Sequence, residues 1–172
     1  MLGIWAISKA KFVGSPGSVD EDTSRDYHEA SLFPFGREGL KRGYYLPRKG
    51  GKSFIFEVQY QVYSQLFDEL YLMVYGVDTM GVWRKYRRHR GKPFIDILYV
   101  PTLSDGYTIG PKTCAKLYRD FVAFAPMAKK HFSQKDIRWR NFPDDPAGPF
   151  LWDTYRKFRK AFKIASDHGF VS

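Results

Sequence analysis

Six lysine or arginine residues fall within the nine positions from Arg84 to Lys92. Aromatic rings are set among them, so the stretch runs Trp83, Arg84, Lys85, Tyr86, Arg87, Arg88, His89, Arg90, Gly91, Lys92. Cations neutralise phosphates and flat rings stack on bases, so this composition suits a nucleic-acid or other anionic surface. Arginine adds planar, bidentate contacts that lysine does not make. A second basic set, Arg156, Arg159, Lys160 and Lys163, falls on one sector of a helical wheel near the C-terminus. The two sets together are the expected binding site. The plain alternative is a solvated basic segment with Trp83 tucked into the core.

Catalytic spacings are missing. The sequence holds no dinucleotide fingerprint, no Walker loop, no zinc-protease pair and no nucleophile elbow. Its lone cysteine, Cys114, allows neither an internal disulfide nor a cysteine zinc site. No cofactor and no metal are therefore expected. The four histidines, His28, His89, His131 and His168, lie far apart. A nuclease could still assemble His89, His131 and an arginine in space. His168 ends a helical stretch, where the dipole favours a cation. Asp78, Asp96 and Asp105 are the carboxylates near the middle of the chain. Strand alternation predicts that Asp96 faces solvent, and Asp105 reads as a turn former.

The elements that must position these groups follow from pattern. Residues 94–100, FIDILYV, are apolar, aromatic and β-branched, which predicts a strand. Pro101 ends it, Ser104-Asp105-Gly106 makes a turn, and Gly110-Pro111 opens a helix that Pro126 must break near Phe124 or Ala125. Along that helix Cys114, Tyr118, Phe121 and Ala125 share a face. Leu2 to Ile7 and Phe54 to Phe56 read as further strands. Tyr60, Tyr63, Phe67, Leu70, Tyr71 and Val74 recur at helical spacing, which predicts an amphipathic helix with an inward aromatic stripe, capped by Gly76. Residues 133–149 read as a loop pinned by Trp139 and Phe142. A last helix starts near Pro149 and runs to about His168. It buries Leu151, Tyr155, Phe158, Phe162 and Ala165, and Gly169 caps it. Residues 14–30 are rich in Asp, Glu, Ser and Gly and predict a mobile acidic loop.

Thr102 to Phe121, with Leu103-Ser104-Asp105-Gly106, Ile109-Gly110-Pro111 and Cys114-Ala115-Lys116-Leu117, carries a resemblance, together with the aromatic and basic helix around Tyr155 to Phe162. The chain resembles a group of small bacterial and phage-borne proteins of unassigned function, in which a Ser-Asp-Gly-type turn precedes such a helix. The resemblance covers roughly the C-terminal half. It implies a mixed helical fold and no particular activity.

Length and composition bound the rest. A chain of 172 residues is expected to form one domain, 1–172, with a real core. Its 44% hydrophobic content excludes disorder by composition. Aromatics at 18% exceed what such a core needs, so some rings should meet a partner. A formal net charge of +10 favours anionic partners. No apolar run is long enough for a membrane span, and the N-terminal stretch lacks a secretory pattern, so the expected location is the cytoplasm. The expected fold is α+β, helix-rich, with a small sheet holding residues 94–100 and a C-terminal amphipathic helix. The expected function is a non-enzymatic binding protein whose partner is nucleic acid or an acidic protein surface. A phage or mobile-element accessory or inhibitor protein fits that description. The alternatives are a small nuclease using His and Arg on the same surface, and an immunity-type protein-interaction module.

Overall fold

A computed structural model gives an α+β fold and describes residues 1–15, 28–30, 38, 40–41, 43–86, 91–99, 108–134 and 136–172. The chain begins with β1 (Leu2–Ile7), which is the middle of a three-stranded antiparallel sheet. Its neighbours are β5 (Ser53–Val58) and β8 (Phe170–Val171). Alternation sends Leu2, Ile4 and Ala6 to one face, opposite Phe56 and Val58 of β5. Ile7, at the end of β1, instead joins Tyr45 and Phe170 in a small second cluster.

That second cluster lies beside another antiparallel sheet, formed by β2 (Ala10–Gly14), β4 (Gly43–Pro47) and β3 (His28–Ala30). The acidic segment expected over residues 14–30 is thus shorter than its composition implies. Gly14 pairs with Tyr44, and Glu29 sits in β3 opposite the same residue. Residues 16–27 lie outside the described part of the chain. Acidic residues suit an edge strand as well as a loop.

The main core forms where helices close over β1 and β5. Helix α1 (Tyr60–Tyr75) buries Tyr63, Phe67, Leu70 and Tyr71 as its spacing predicts. It ends at Gly76, whose φ of 70° lets its N–H reach the Leu72 carbonyl at 2.9 Å. Tyr60 departs from the expected stripe and is exposed, because it stands in the first turn at the rim of the fold. Helix α2 (Thr79–Tyr86) packs on α1 through the fully buried Val82.

Residues 94–99 are not a strand, and no sheet contains them; Val100 lies outside the described residues. Phe94 has φ of 58°, and Ile95–Tyr99 form a 3-10 turn with Phe94, Ile95 and Ile97 buried. A short apolar run reports burial, and burial is common to strands and to core turns. The backbone groups that a ladder would have satisfied go elsewhere. Tyr71 and Tyr75 donate their hydroxyls to the carbonyls of Phe94 and Pro93, at 3.2 and 2.7 Å. Asp120 Oδ2 accepts the Phe94 N–H at 2.9 Å.

Helix α3 (Pro111–Ala123) opens with proline at its first position and buries Cys114, Leu117 and Phe121. Its uncapped amides are met from outside, since the Glu38 carboxylate accepts the N–H groups of Lys112 and Thr113. Phe124 breaks the helix just before Pro126, and α4 (Ala125–Phe132) follows. A hairpin of β6 (Arg138–Trp139) and β7 (Phe142–Pro146) replaces the loop expected over 133–149. Its aromatics do not both pin it: Trp139 is half-buried, but Phe142 is exposed.

Helix α5 (Gly148–Ala165) is the centre of the core and contacts α1, α3, α4, β1, β5 and β8. Leu151, Tyr155, Phe158, Phe162 and Ala165 are all buried, as the helical wheel predicts. Phe158 meets Phe56, Phe67 and Phe121 at ring separations of 5.2, 5.5 and 6.5 Å. Beyond α5, His168 takes the left-handed conformation with φ of 53°, so Gly169 is not the cap. It serves a close approach to β1 instead.

Candidate functional site

The first basic stretch begins in a helix, since Trp83 to Tyr86 belong to α2. Trp83, Arg84 and Lys85 project from α2 and are exposed, so Trp83 is not a core residue. Tyr86 is the last residue of α2. Arg87, Arg88, His89 and Arg90 lie outside the described residues. Lys92 is exposed, and its carbonyl accepts from Ile95 N–H and from the Lys116 ammonium.

Helix α2 is held at its start by Asp68, a buried carboxylate of α1 whose Oδ1 accepts the Thr79 N–H at 3.0 Å. The other oxygen of Asp68 pairs with the Arg140 guanidinium at the hairpin tip. One buried acid therefore ties together α1, the basic helix α2 and the β6–β7 hairpin. A carboxylate at a helix N-terminus also complements the helix dipole.

The second basic set is on the outer face of α5. Lys160 and Lys163 are exposed, and the Lys160 ammonium lies 3.9 Å from the centre of the Phe54 ring. That contact is a cation–π pair at the rim of the core, because Phe54 is half-buried on the same side of β5 as Phe56 and Val58. Arg156 is exposed, but it shares Asp153 with Lys157, at 2.8 and 2.9 Å. Hydrogen bonding to Lys157, then to Arg156, holds the Asp153 carboxyl below the usual aspartate range. Arg159 is half-buried. The two basic sets have different supports: α2 packs on α1 and the 3-10 turn, and the α5 row flanks β5.

The histidines carry no assembled catalytic group among the described residues. His131 Nε2 lies 2.8 Å from Glu69 Oε2, a tie between α4 and α1. The partner proposed for it in a nuclease, His89, lies outside the described residues. His168 is almost fully exposed beside Asp167 at 3.3 Å. Asp105 lies outside the described residues with the rest of its turn.

Asp96 does not face solvent, because the turn that replaces the strand points it at α3. Lys116 Nζ stands 2.7 Å from Asp96 Oδ2 and 2.7 Å from Asp120 Oδ2. The Asp96 oxygen finds its partner as charge and not as an aligned hydrogen bond. Burial pushes the Asp120 carboxyl above its ordinary range, against the hydrogen bonds from Lys116 and Phe94. These three side chains close the core under the 3-10 turn and form a structural clasp. No group of acids, histidines or cysteine able to hold a metal occurs among the described residues.

A concave feature that sequence reasoning missed lies between the first turns of α1 and the hairpin tip. It is a cleft of about 250 Å³ lined by Tyr60, Gln61, Ser64 and Gln65 of α1 and by Trp139, Arg140, Asn141 and Phe142 of the hairpin. Gln65 Nε2 donates to the Arg138 carbonyl at 2.6 Å, and the Arg140 N–H donates back to Gln65 Oε1 at 3.4 Å. The one available signal was the run Arg138-Trp139-Arg140-Asn141-Phe142, which alternates cations with rings.

Among the described residues no helix is long and apolar enough to cross a membrane. Compared with protein-family models, with curated proteins and with solved structures, the chain matches none.

Proposed function

We propose that the chain is a non-enzymatic binding protein whose basic surface engages an anionic macromolecule. The observation that supports this reading is the exposed row on α5. Lys160 and Lys163 stand on the outer side of a helix whose opposite side is fully occupied by core packing. Lys160 also lies over Phe54, so a cation and a ring are presented in one place. Arg84 and Lys85 add a second exposed pair on α2. Packing requires neither arrangement, and a net charge of +10 is left to be neutralised by something else. The reading places the protein in the cytoplasm, where a lone thiol such as Cys114 stays reduced.

The test is binding to a generic polyanion, heparin, across a salt series. Affinity should fall steeply with salt, because each neutralised charge releases counterions. Lys160→Ala with Lys163→Ala should weaken binding and flatten the salt dependence, with only the small loss of stability expected from the Lys160–Phe54 contact, about 0.5–1 kcal/mol. Arg84→Ala with Lys85→Ala should do the same by its own increment. Heparin affinity that is unchanged in both double variants would overturn the reading and leave the charge as a solubility feature. A pull-down from lysate, with and without nuclease treatment, then separates nucleic acid from an acidic protein as the partner.

A further inference from the structure

We infer that the cleft between α1 and the β6–β7 hairpin is a stacking pocket for an unpaired nucleobase, which makes the anionic partner a single-stranded nucleic acid. This inference rests on the proposed function and goes further by naming the substrate class and a second site.

Three large aromatic residues are exposed together here. Tyr60, Phe142 and Phe150 keep 57%, 56% and 61% of their surface, although the same fold buries most of its other rings. Tyr60 and Phe142 line the cleft from opposite sides, on α1 and on the hairpin. Trp139 also lines it and meets Phe150 at a ring separation of 5.8 Å. Exposed apolar surface gathered in one concave place marks an interaction site, whereas the same rings scattered singly would not.

The remaining lining is polar and neutral. Gln61 and Asn141 each present an amide, and Ser64 presents a hydroxyl. Together they offer donors and acceptors that suit the edge of a heterocycle. Among the described residues Arg140 is the only charged one in the lining, and no carboxylate lines the cleft. Its guanidinium is half-exposed and fixed at one end by Asp68. Arg138 stands on the adjoining strand, anchored to the Asp144 carbonyl at 3.0 Å. Rings for stacking, amides for an edge and arginines beside them are the elements of single-strand recognition.

Size and rigidity narrow the ligand class. A volume of about 250 Å³ lies below the range of pockets that engulf an elongated small molecule. It suits one flat ring system inserted between two side chains. The walls are held by the Gln65 and Asp68 contacts to the hairpin, so the pocket is formed before a ligand arrives. A neutral sugar would also stack on aromatic residues and bond to amides. The chain's charge of +10 favours the ligand whose rings come on a polyanion. A duplex hides its bases in the stack and presents none to such a cleft.

The test is fluorescence anisotropy with the full chain and labelled oligonucleotides of equal length, single-stranded and duplex, at two salt concentrations. Single strands should bind at least about fivefold more tightly than duplex, the lower bound for one stacked base. Tyr60→Ala with Phe142→Ala should lose that preference while keeping the salt dependence. Both residues are exposed, so the variant should melt with the wild type, and Phe142→Trp, which keeps a ring, should retain the preference. Lys160→Ala with Lys163→Ala should do the reverse, lowering the salt slope by about 0.7 per lysine and keeping the preference. Equal binding of single strand and duplex, or an unchanged preference in the ring variant, would overturn the pocket and leave the basic surface standing. Binding of heparin without binding of any oligonucleotide would overturn the nucleic-acid assignment alone. Binding of a neutral oligosaccharide lost in the ring variant would reassign the cleft to sugars and overturn the inference.

Discussion

A Cβ on Gly169 would stand 1.7 Å from the carbonyl oxygen of Ile7. The last strand can therefore lie against β1 only because that position has no side chain. The backbone crossing there is dense: Lys9 N–H bonds to Asp167 O at 2.7 Å, and Ala10 N–H bonds to His168 O at 3.0 Å. Gly169→Ala should destabilise by at least about 2 kcal/mol, as overpacking of a tight site does. A denaturant midpoint equal to the wild type's would mean that the two segments separate in solution.

Phe158 and Phe162 are the aromatic centre of the core. Phe162 meets Phe121 at 5.5 Å and Phe158 at 6.1 Å. Phe158→Ala and Phe162→Ala should each cost roughly 3–5 kcal/mol. Losses below about 1 kcal/mol in a urea titration, the size of an ordinary surface change, would show that α5 does not fill the core.

Lys116→Met should cost about 2–3 kcal/mol at neutral pH, because it leaves Asp96 and Asp120 facing each other without their cation. Asp120 already titrates above the usual aspartate range because it is desolvated, and Lys116 is the largest influence opposing that rise. A raised folded-state pKa means that the carboxylate form is the costly one. Stability is then highest below the unfolded aspartate pKa and falls as pH rises through the folded value. Removing Lys116 raises the folded value further. The gap between variant and wild type should thus narrow as pH drops into the aspartate range. A gap that stays constant with pH would show that the lysine acts through packing alone.

Cys114 is fully buried, with its Sγ 3.3 Å from the Ile109 carbonyl oxygen. Desolvation pushes its thiol well above the ordinary range, so little reactive thiolate exists in the folded state. A maleimide should label it at the rate of unfolding under native conditions, and quickly in denaturant. Fast native labelling would place the thiol at the surface.

The sequence alone determined helices α1, α3 and α5 and most of their inward faces, but neither α2 nor α4. Long periodic stretches such as Tyr63 to Tyr71 and Leu151 to Ala165 repeat their apolar residues at the helical period, and burying that stripe leaves one orientation. Gly76 and Pro126 marked real boundaries, because φ preference and a missing N–H act locally. The exposed cations on α5 were legible for the same reason. Only the tertiary structure decided the rest. Residues 94–99 carry a strand's composition, but Ile95–Tyr99 close into a 3-10 turn, and Tyr71 of α1 and Asp120 of α3 take up the backbone of Phe94. Gly169 reads as a cap until β1 is seen against it. The cleft joins Tyr60 to Phe142, some eighty positions along the chain, through Gln65 and Asp68, which are polar residues on a buried side of a helix. Periodicity records which side of an element is apolar. It does not record which distant backbone or side chain will stand opposite, and that pairing is what makes a turn, a close crossing or a pocket.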